Sequence, residues 1–362
     1  MLRMSHSSSR ELSRSLQTKT HCLSFIVPLP KLSFVAYGSP MRTVWTMGFV
    51  AAAALSFCFP DFIVFRFTQA AIWAIALLGL VLLCGVSGQF SFAQAALFGV
   101  GGYSAAIIGT HTPLSVYWGL PAALLMGYAA GWGLGRIAGG HSLWTQALVT
   151  YAFAIAFPQL LRWRLIEHWT GGVQGLYLDF PTPPGGISAD RWNFFMALVL
   201  LAAGVWLAGN MIASRSGRAL TAARDNDLAA AAQGIRVVQV RATISGIAGA
   251  YLALAGCLSS YQYGYVGPTG YNFALSVQML FGLVIGGMQS PAGAIVGGLF
   301  LQFFPDLIAG LGKGLSGLLY AVLLIAAMVL MPTGIVGAVK RLITASPAKL
   351  GRWRRHTATE GS

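Results

Sequence analysis

Negative charge is scarce in this chain: its 362 residues include nine Asp and Glu against 23 Lys and Arg, and charged residues make up 9% in all. Soluble domains carry roughly a quarter charged residues, so an ordinary soluble globular protein is excluded. Cysteine is scarce too. The four present, Cys22, Cys58, Cys84 and Cys257, have no CxxC spacing, and only Cys22 has a neighbouring His, His21. That excludes a disulfide framework or a thiolate metal site and leaves buried free thiols. The six His are isolated, HExxH is missing, and so is GxxxxGK[ST], so the chain has no P-loop of its own. Residues 312–317 match GxGxxG, but no strand signal precedes them and they read as a loop before the last helix. No catalytic, cofactor-binding or metal-binding set is expected. Strand-type alternation is missing as well, which excludes a transmembrane β-barrel.

What is present is apolar. Hydrophobic residues make up 56% of the chain, and the mean hydropathy is +0.69. A bilayer core of about 30 Å takes roughly 20 apolar residues per helix. Ten segments approach that length: 43–59, 67–85, 91–109, 114–135, 142–161, 192–212, 242–262, 273–288, 292–309 and 315–338. The fold class expected is all-α, a polytopic integral membrane protein of about ten transmembrane or re-entrant helices. The formal charge of +14 gathers in the first 42 residues, in 215–241 and after 339. All three stretches flank apolar segments, as the positive-inside rule expects of cytoplasmic loops. Both termini are then cytoplasmic, and the loop 162–191 is external.

Three regions follow: 1–42, a basic Ser-rich tail; 43–338, the transmembrane domain with a polar loop at 214–241; and 339–362, a basic cytoplasmic tail. The first reads as a disordered tail with the flavour of an organelle transit peptide, or translation starts at Met41. No small-residue cleavage site follows the apolar run 49–59, so no secretory signal is expected.

Glycine is abundant, at 45 residues. Gly127, Gly131 and Gly135, Gly282 and Gly286, and Gly293 and Gly297 make small-xxx-small spacings, which let helix backbones approach closely in lipid. Two clusters differ because polar residues accompany them. One runs from Gly85 through Ser87, Gln89, Ser91 and Gln94 to Tyr103; the other is Gly286, Gly287, Met288, Gln289, Ser290, Pro291. Non-helical backbone at membrane depth is tolerated only where protein buries it or a water-filled path runs. The segments carrying these clusters run in opposite directions, as in an inverted repeat with its pathway at the repeat interface. Unpaired amides and hydroxyls in hydrocarbon cost about 1–3 kcal/mol, so Ser87, Gln89, Ser91 and Gln94 are expected on the pathway. Gly286 and Gly287 are expected there too, with Gly171 and Gly172 at an external gate. The apolar segments hold almost no ionisable side chain, so no carboxylate coupling site is visible and the driving energy is expected from a partner.

The loop 214–241 is polar, Ala-rich and helix-favouring. Asp225, Asn226 and Asp227 are helix-start residues for 228–233, and Gly234 is a stop. Its run Ser214, Gly217, Arg218, Ala219, Leu220, Arg224, Asp225, Asn226, Asp227, Ala229, Ala230, Gly234, Ile235 resembles the cytoplasmic coupling region of branched-chain amino acid ABC permeases, SxxGRALxAIRDNExAAxxxGI. Further matches keep their order. Ser91, Gln94, Ala95 and Gly99 to Tyr103 look like SLGQAxFxGxGAY, Thr170 to Leu176 like TGGxxGL, Tyr265 to Pro268 like YISP, and Pro332 to Gly337 like PxGLxG. The resemblance spans about residues 67–338. There are departures: Gln289 replaces a Gly in the GGxGSxxGP pattern, Ala93 stands for a Gly, and Ala231 stands where an acid is common.

The resemblance implies a permease subunit of an inner-membrane importer, forming the pathway for branched-chain amino acids. Its partners would be a second homologous permease, two cytoplasmic ATPases and a periplasmic solute-binding protein. The departures leave urea, short amides or other amino acids open as solutes. It places ATPase coupling on Gly217, Arg218, Arg224, Asp225, Asp227, Ala229, Ala230 and Gly234. Two rivals make other demands: a stand-alone secondary transporter needs intramembrane acids or His, and a lipid-acting membrane enzyme needs them clustered at the interface.

Overall fold

The computed structural model describes residues 59–178, 183, 188–309 and 334–337. The expected spans 43–59 and 315–338 lie outside them except at Phe59 and 334–337, as do the tails and 312–317. The eight remaining spans are helices. α1 (Asp61–Leu80) continues into a π-helical segment (Val81–Val86), followed by α2 (Gln94–His111). A 3-10 turn (Val116–Trp118) leads to α3 (Gly119–Ala138), α4 (Leu143–Leu161) and the one-turn α5 (Glu167–Thr170). After the two-residue strand β1 (Leu176–Tyr177) come α6 (Ala189–Ala213), α7 (Arg215–Asp225) and α8 (Asp227–Ala232). The chain continues with α9 (Val237–Tyr263), β2 (Tyr265–Val266), α10 (Phe273–Gly286) and α11 (Pro291–Ala309).

Among the described residues three helical stretches are long and apolar enough to cross a membrane alone: Asp61–Val86, Ala189–Ala213 and Val237–Tyr263. Continuous helix satisfies every internal backbone group, which lipid cannot do. Helix starts are set by side chains: Ser142 caps α4, Ser214 caps α7, Asn226 caps α8 and Asn272 caps α10.

α9 is the centre of the bundle and packs on α1, α2 and α3. The glycine stripe of α3 explains its closest contact. A Cβ on Gly127, Gly131 or Gly135 would strike Ala253, Gly249 or Ser245, which repeat every four residues on α9. Gly79 of α1 and Gly101 of α2 meet the α9 backbone in the same way. Gly282, Gly286, Gly293 and Gly297 likewise bring α10 against α11. Tight van der Waals packing thus replaces the hydrophobic drive that lipid withholds. The thiols of Cys84 and Cys257 are free.

The expected single short helix at 228–233 needs a correction. The polar loop after α6 holds two helices, because Ser214 starts α7 twelve residues before Asn226 starts α8. The two polar glycine clusters are turns between consecutive helices, one joining α1 to α2 and one joining α10 to α11. They meet at the same end of the bundle, where Gly85 abuts the Met288 carbonyl. At that end α2 leaves its turn while α10 enters its own, so the segments 91–109 and 273–288 run in opposite directions.

Candidate functional site

The first turn is a buried polar network. Ser87 donates to the Leu83 carbonyl at 2.6 Å. The amide of Gln89, 1% exposed, donates to Ser87 Oγ at 2.9 Å and to the Arg241 carbonyl at 3.3 Å. Its Oε1 accepts from Gln146 Nε2 at 3.1 Å and from Ser245 Oγ at 3.2 Å. One side chain therefore ties the turn to α4 and α9. Gly88 makes the bend possible at φ +68.

The rest of the turn is satisfied by single polar residues from other helices. Ser91 Oγ accepts from the Ala93 amide at 3.2 Å, and Gln94 Nε2 donates to the Ser91 carbonyl. Thr150 accepts from the Phe92 amide at 3.0 Å and Ser276 from the Ala95 amide at 2.9 Å. Gln94 Oε1 is buried with no hydrogen-bond partner. A cavity of about 20 Å³ beside the turn, lined by Ser91, Gln146, Thr150 and Ser245 among others, has room for about one water.

The second turn is held by backbone packing. Gly286 fits against Gly293 and Gly297 of α11, and Gly287 lies under Gly334, where a Cβ on Gly334 would come within 2.5 Å of the Gly287 Cα. The amide of Gly293 closes the turn on the Ser290 carbonyl at 2.8 Å.

The α7–α8 pair lies at this same end. Gly217, Leu220 and Ala223 form the buried face of α7, with Gly217 packed on the Met211 and Ile212 carbonyls, while Arg218 is exposed. Arg224 reaches inward and donates to the Gly85 carbonyl at 2.6 Å. Asp225 is exposed; Asp227 pairs with Arg241 at 2.7 Å, which links α8 to the start of α9. On α8, Ala230 is buried and Ala229 is exposed. Gly234 ends α8 at φ +82, with the Ile235 amide on the Ala230 carbonyl and the Gly234 amide on that of Ala231. The exposed tip is Leu228, at 84%.

Gly171 and Gly172 stand apart from both turns, at the opposite end of the bundle. Thr170 anchors them by donating to the Leu161 carbonyl at 2.7 Å. There β1 and β2 pair antiparallel, Leu176 with Val266 and Tyr177 with Tyr265. The Tyr265 hydroxyl donates to the Gln174 carbonyl at 3.0 Å. The segments Thr170–Leu176 and Tyr265–Pro268, distant in sequence, thus form one structure.

The structure therefore brings Ser87, Gln89, Ser91, Gln94, Gly286 and Gly287 together with Arg224 and Asp227, and leaves Gly171 and Gly172 elsewhere. Sequence reasoning missed Gln146, Thr150, Ser245, Ser276 and Leu228. Gln146 and Thr150 stand four apart near the start of an apolar helix, a polar stripe that could have been read.

A family model described as a branched-chain amino acid transport system permease component matches residues 62–328. The high-affinity branched-chain amino acid transport system permease protein LivM of Escherichia coli K12 is 27% identical over 301 residues, covering 74% of this chain and 68% of that protein. LivH of Salmonella typhimurium is 27% identical over 288 residues, covering 75% and 92%. BraD of Pseudomonas aeruginosa is 24% identical over 289 residues, covering 75% and 93%. No solved structure matches the chain.

Proposed function

Because the chain belongs to the branched-chain amino acid transport permease family, we propose that it is the permease subunit of an ATP-driven importer of branched-chain, hydrophobic amino acids. The observation that carries this reading is the α7–α8 pair. It is a polar, two-helix projection with an exposed Leu228 at its tip, a direct bond to a buried turn through Arg224 to Gly85, and an ion pair to α9 through Asp227 to Arg241. A projection built this way passes force from a docked partner into the bundle, which a transporter driven by its partners' ATP hydrolysis requires. The partners are two cytoplasmic ATPases docked on α7–α8, a second homologous permease and a periplasmic solute-binding protein, in the inner membrane with both termini cytoplasmic.

The two turns form the closed cytoplasmic end of the pathway, lined on opening by Ser87, Gln89, Ser91, Gln94, Gly286 and Gly287. Gly171 and Gly172 belong to the external gate. Neutral amides, hydroxyls and backbone carbonyls pass a zwitterion without holding it tightly, so selectivity rests largely on the binding protein.

Docking itself is tested at Gly234. Nothing lies within 4 Å of a Cβ built there, so Gly234→Leu adds bulk to the projecting surface of a folded permease, at a backbone cost of about 1–2 kcal/mol for its positive φ. The variant is expected to reach the membrane, lose its co-purifying ATPase and lose solute uptake. ATPase binding and uptake at wild-type levels would refute the docking assignment.

A further inference from the structure

Arg224 lies in the polar loop, where an exposed cation would face lipid headgroups or a docked protein, yet it does neither. Its guanidinium donates to the Gly85 carbonyl, 139 residues away, at 2.6 Å. Its methylenes fill the space beside Gly88: a Cβ there would stand 2.8 Å from Arg224 Cγ and 3.2 Å from Cδ. Gly85 belongs to the last turn of the π-helical segment, whose final carbonyls have no partner within the helix. A cation there meets an orphan acceptor and the negative end of the helix dipole. Gly85 also abuts the Met288 carbonyl of the second turn. One side chain thus joins the end of α7 to the point where both turns meet. Arg218, on the same helix, reaches only the neighbouring Ala213 carbonyl, at 3.4 Å.

We infer that Arg224 is the positioning residue of coupling: it ties the ATPase-docking pair to the paired turns, so that movement of α7–α8 displaces Gly85 and parts the turns. This rests on the permease reading above. Charge-assisted hydrogen bonds are strong enough, and the glycine seat rigid enough, for the connection to act as a strut. Ser87, Gln89 and Met288 then move with it, because each is bonded to or packed on the same turn.

The test uses the complete transporter, permeases with both ATPases, in proteoliposomes supplied with solute-loaded binding protein. Arg224→Ala is expected to keep wild-type membrane levels and ATPase co-purification. Uptake kcat should fall at least about tenfold while KM stays within about twofold. ATP hydrolysis should continue but no longer rise with loaded binding protein. Arg224→Lys should restore part of the uptake, and Arg218→Ala should leave it near wild type. Should Arg224→Ala fold poorly, Arg224→Met, which keeps the methylenes beside Gly88 and removes the donors, supplies the same readings. Coupled uptake unchanged in Arg224→Ala would overturn the inference. So would loss of ATPase binding by that variant, which would put Arg224 at the docking surface. If the wild-type chain itself neither binds ATPases nor needs ATP, the permease reading falls and the strut with it; that failure is recognised because it appears without any substitution.

Discussion

Replacing Gln89 by Leu keeps most of the side-chain volume and removes the amide from the centre of the buried network. Four hydrogen bonds go: to Ser87, the Arg241 carbonyl, Gln146 and Ser245. Side-chain hydrogen bonds inside membrane proteins average about 0.6 kcal/mol, so the four together are worth about 2 kcal/mol. Ser87 keeps its bond to the Leu83 carbonyl, but the Gln146 amide is stranded in a buried site. An orphaned donor adds about 1–3 kcal/mol. The expected destabilisation is therefore about 3–5 kcal/mol, read by thermal or denaturant unfolding of the purified permease in detergent. A second substitution sharpens the test. With Gln146→Leu in the same chain the stranded amide is gone as well, so the double variant should cost less than the sum of the singles by about 1 kcal/mol. A Gln89→Leu cost below about 0.5 kcal/mol, or strict additivity, would refute the network as described.

Two glycines of α3 should respond with opposite signs. Gly131→Ala drives a methyl into the α9 backbone at Ser245 and Gly249 and should destabilise by about 1–3 kcal/mol. Gly133→Ala, with nothing within 4 Å, should stabilise by up to about 1 kcal/mol through helix propensity; the same unfolding assay reads both. Single cysteines placed at Ser87, Gln89, Ser91 and Gln94 should resist a water-soluble thiol reagent at rest, since all four positions are buried. They should react during turnover, and protection of all four in every transport state would remove them from the pathway.

The helices and the seams between them were legible because each leaves a local trace. The eight apolar runs that fall within the described residues were readable by length, and the Gly127, Gly131, Gly135 stripe announced a close contact before its partner was known. Asn226 and Gly234 marked the start and stop of α8 because capping is a matter of a few adjacent residues. What was not legible lies in pairings across the fold. The matching stripe on α9, Ser245, Gly249 and Ala253, is itself a small-xxx-small spacing, but nothing local says which helix it meets. Ser276 is one hydroxyl in an apolar helix until it meets the Ala95 amide. Arg224 reads as a surface cation because its partner is a backbone carbonyl, which every residue possesses. The polar glycine clusters were recognised as irregular backbone, but their position at one end of the bundle depends on helix lengths. α7 was the avoidable miss, since Ser214 ahead of a helix-favouring run is a start signal of the same kind as Asn226.

The central claim is that the chain moves branched-chain amino acids by force delivered to α7–α8 from ATP-hydrolysing partners. The most direct measurement is radiolabelled leucine uptake into proteoliposomes holding this chain, its second permease and both ATPases, with loaded binding protein outside and ATP inside. The account predicts uptake that requires ATP and both ATPases, stops when their hydrolytic sites are inactivated, and survives a protonophore. Leucine uptake by the permeases alone, abolished by the protonophore and indifferent to ATP, would contradict it.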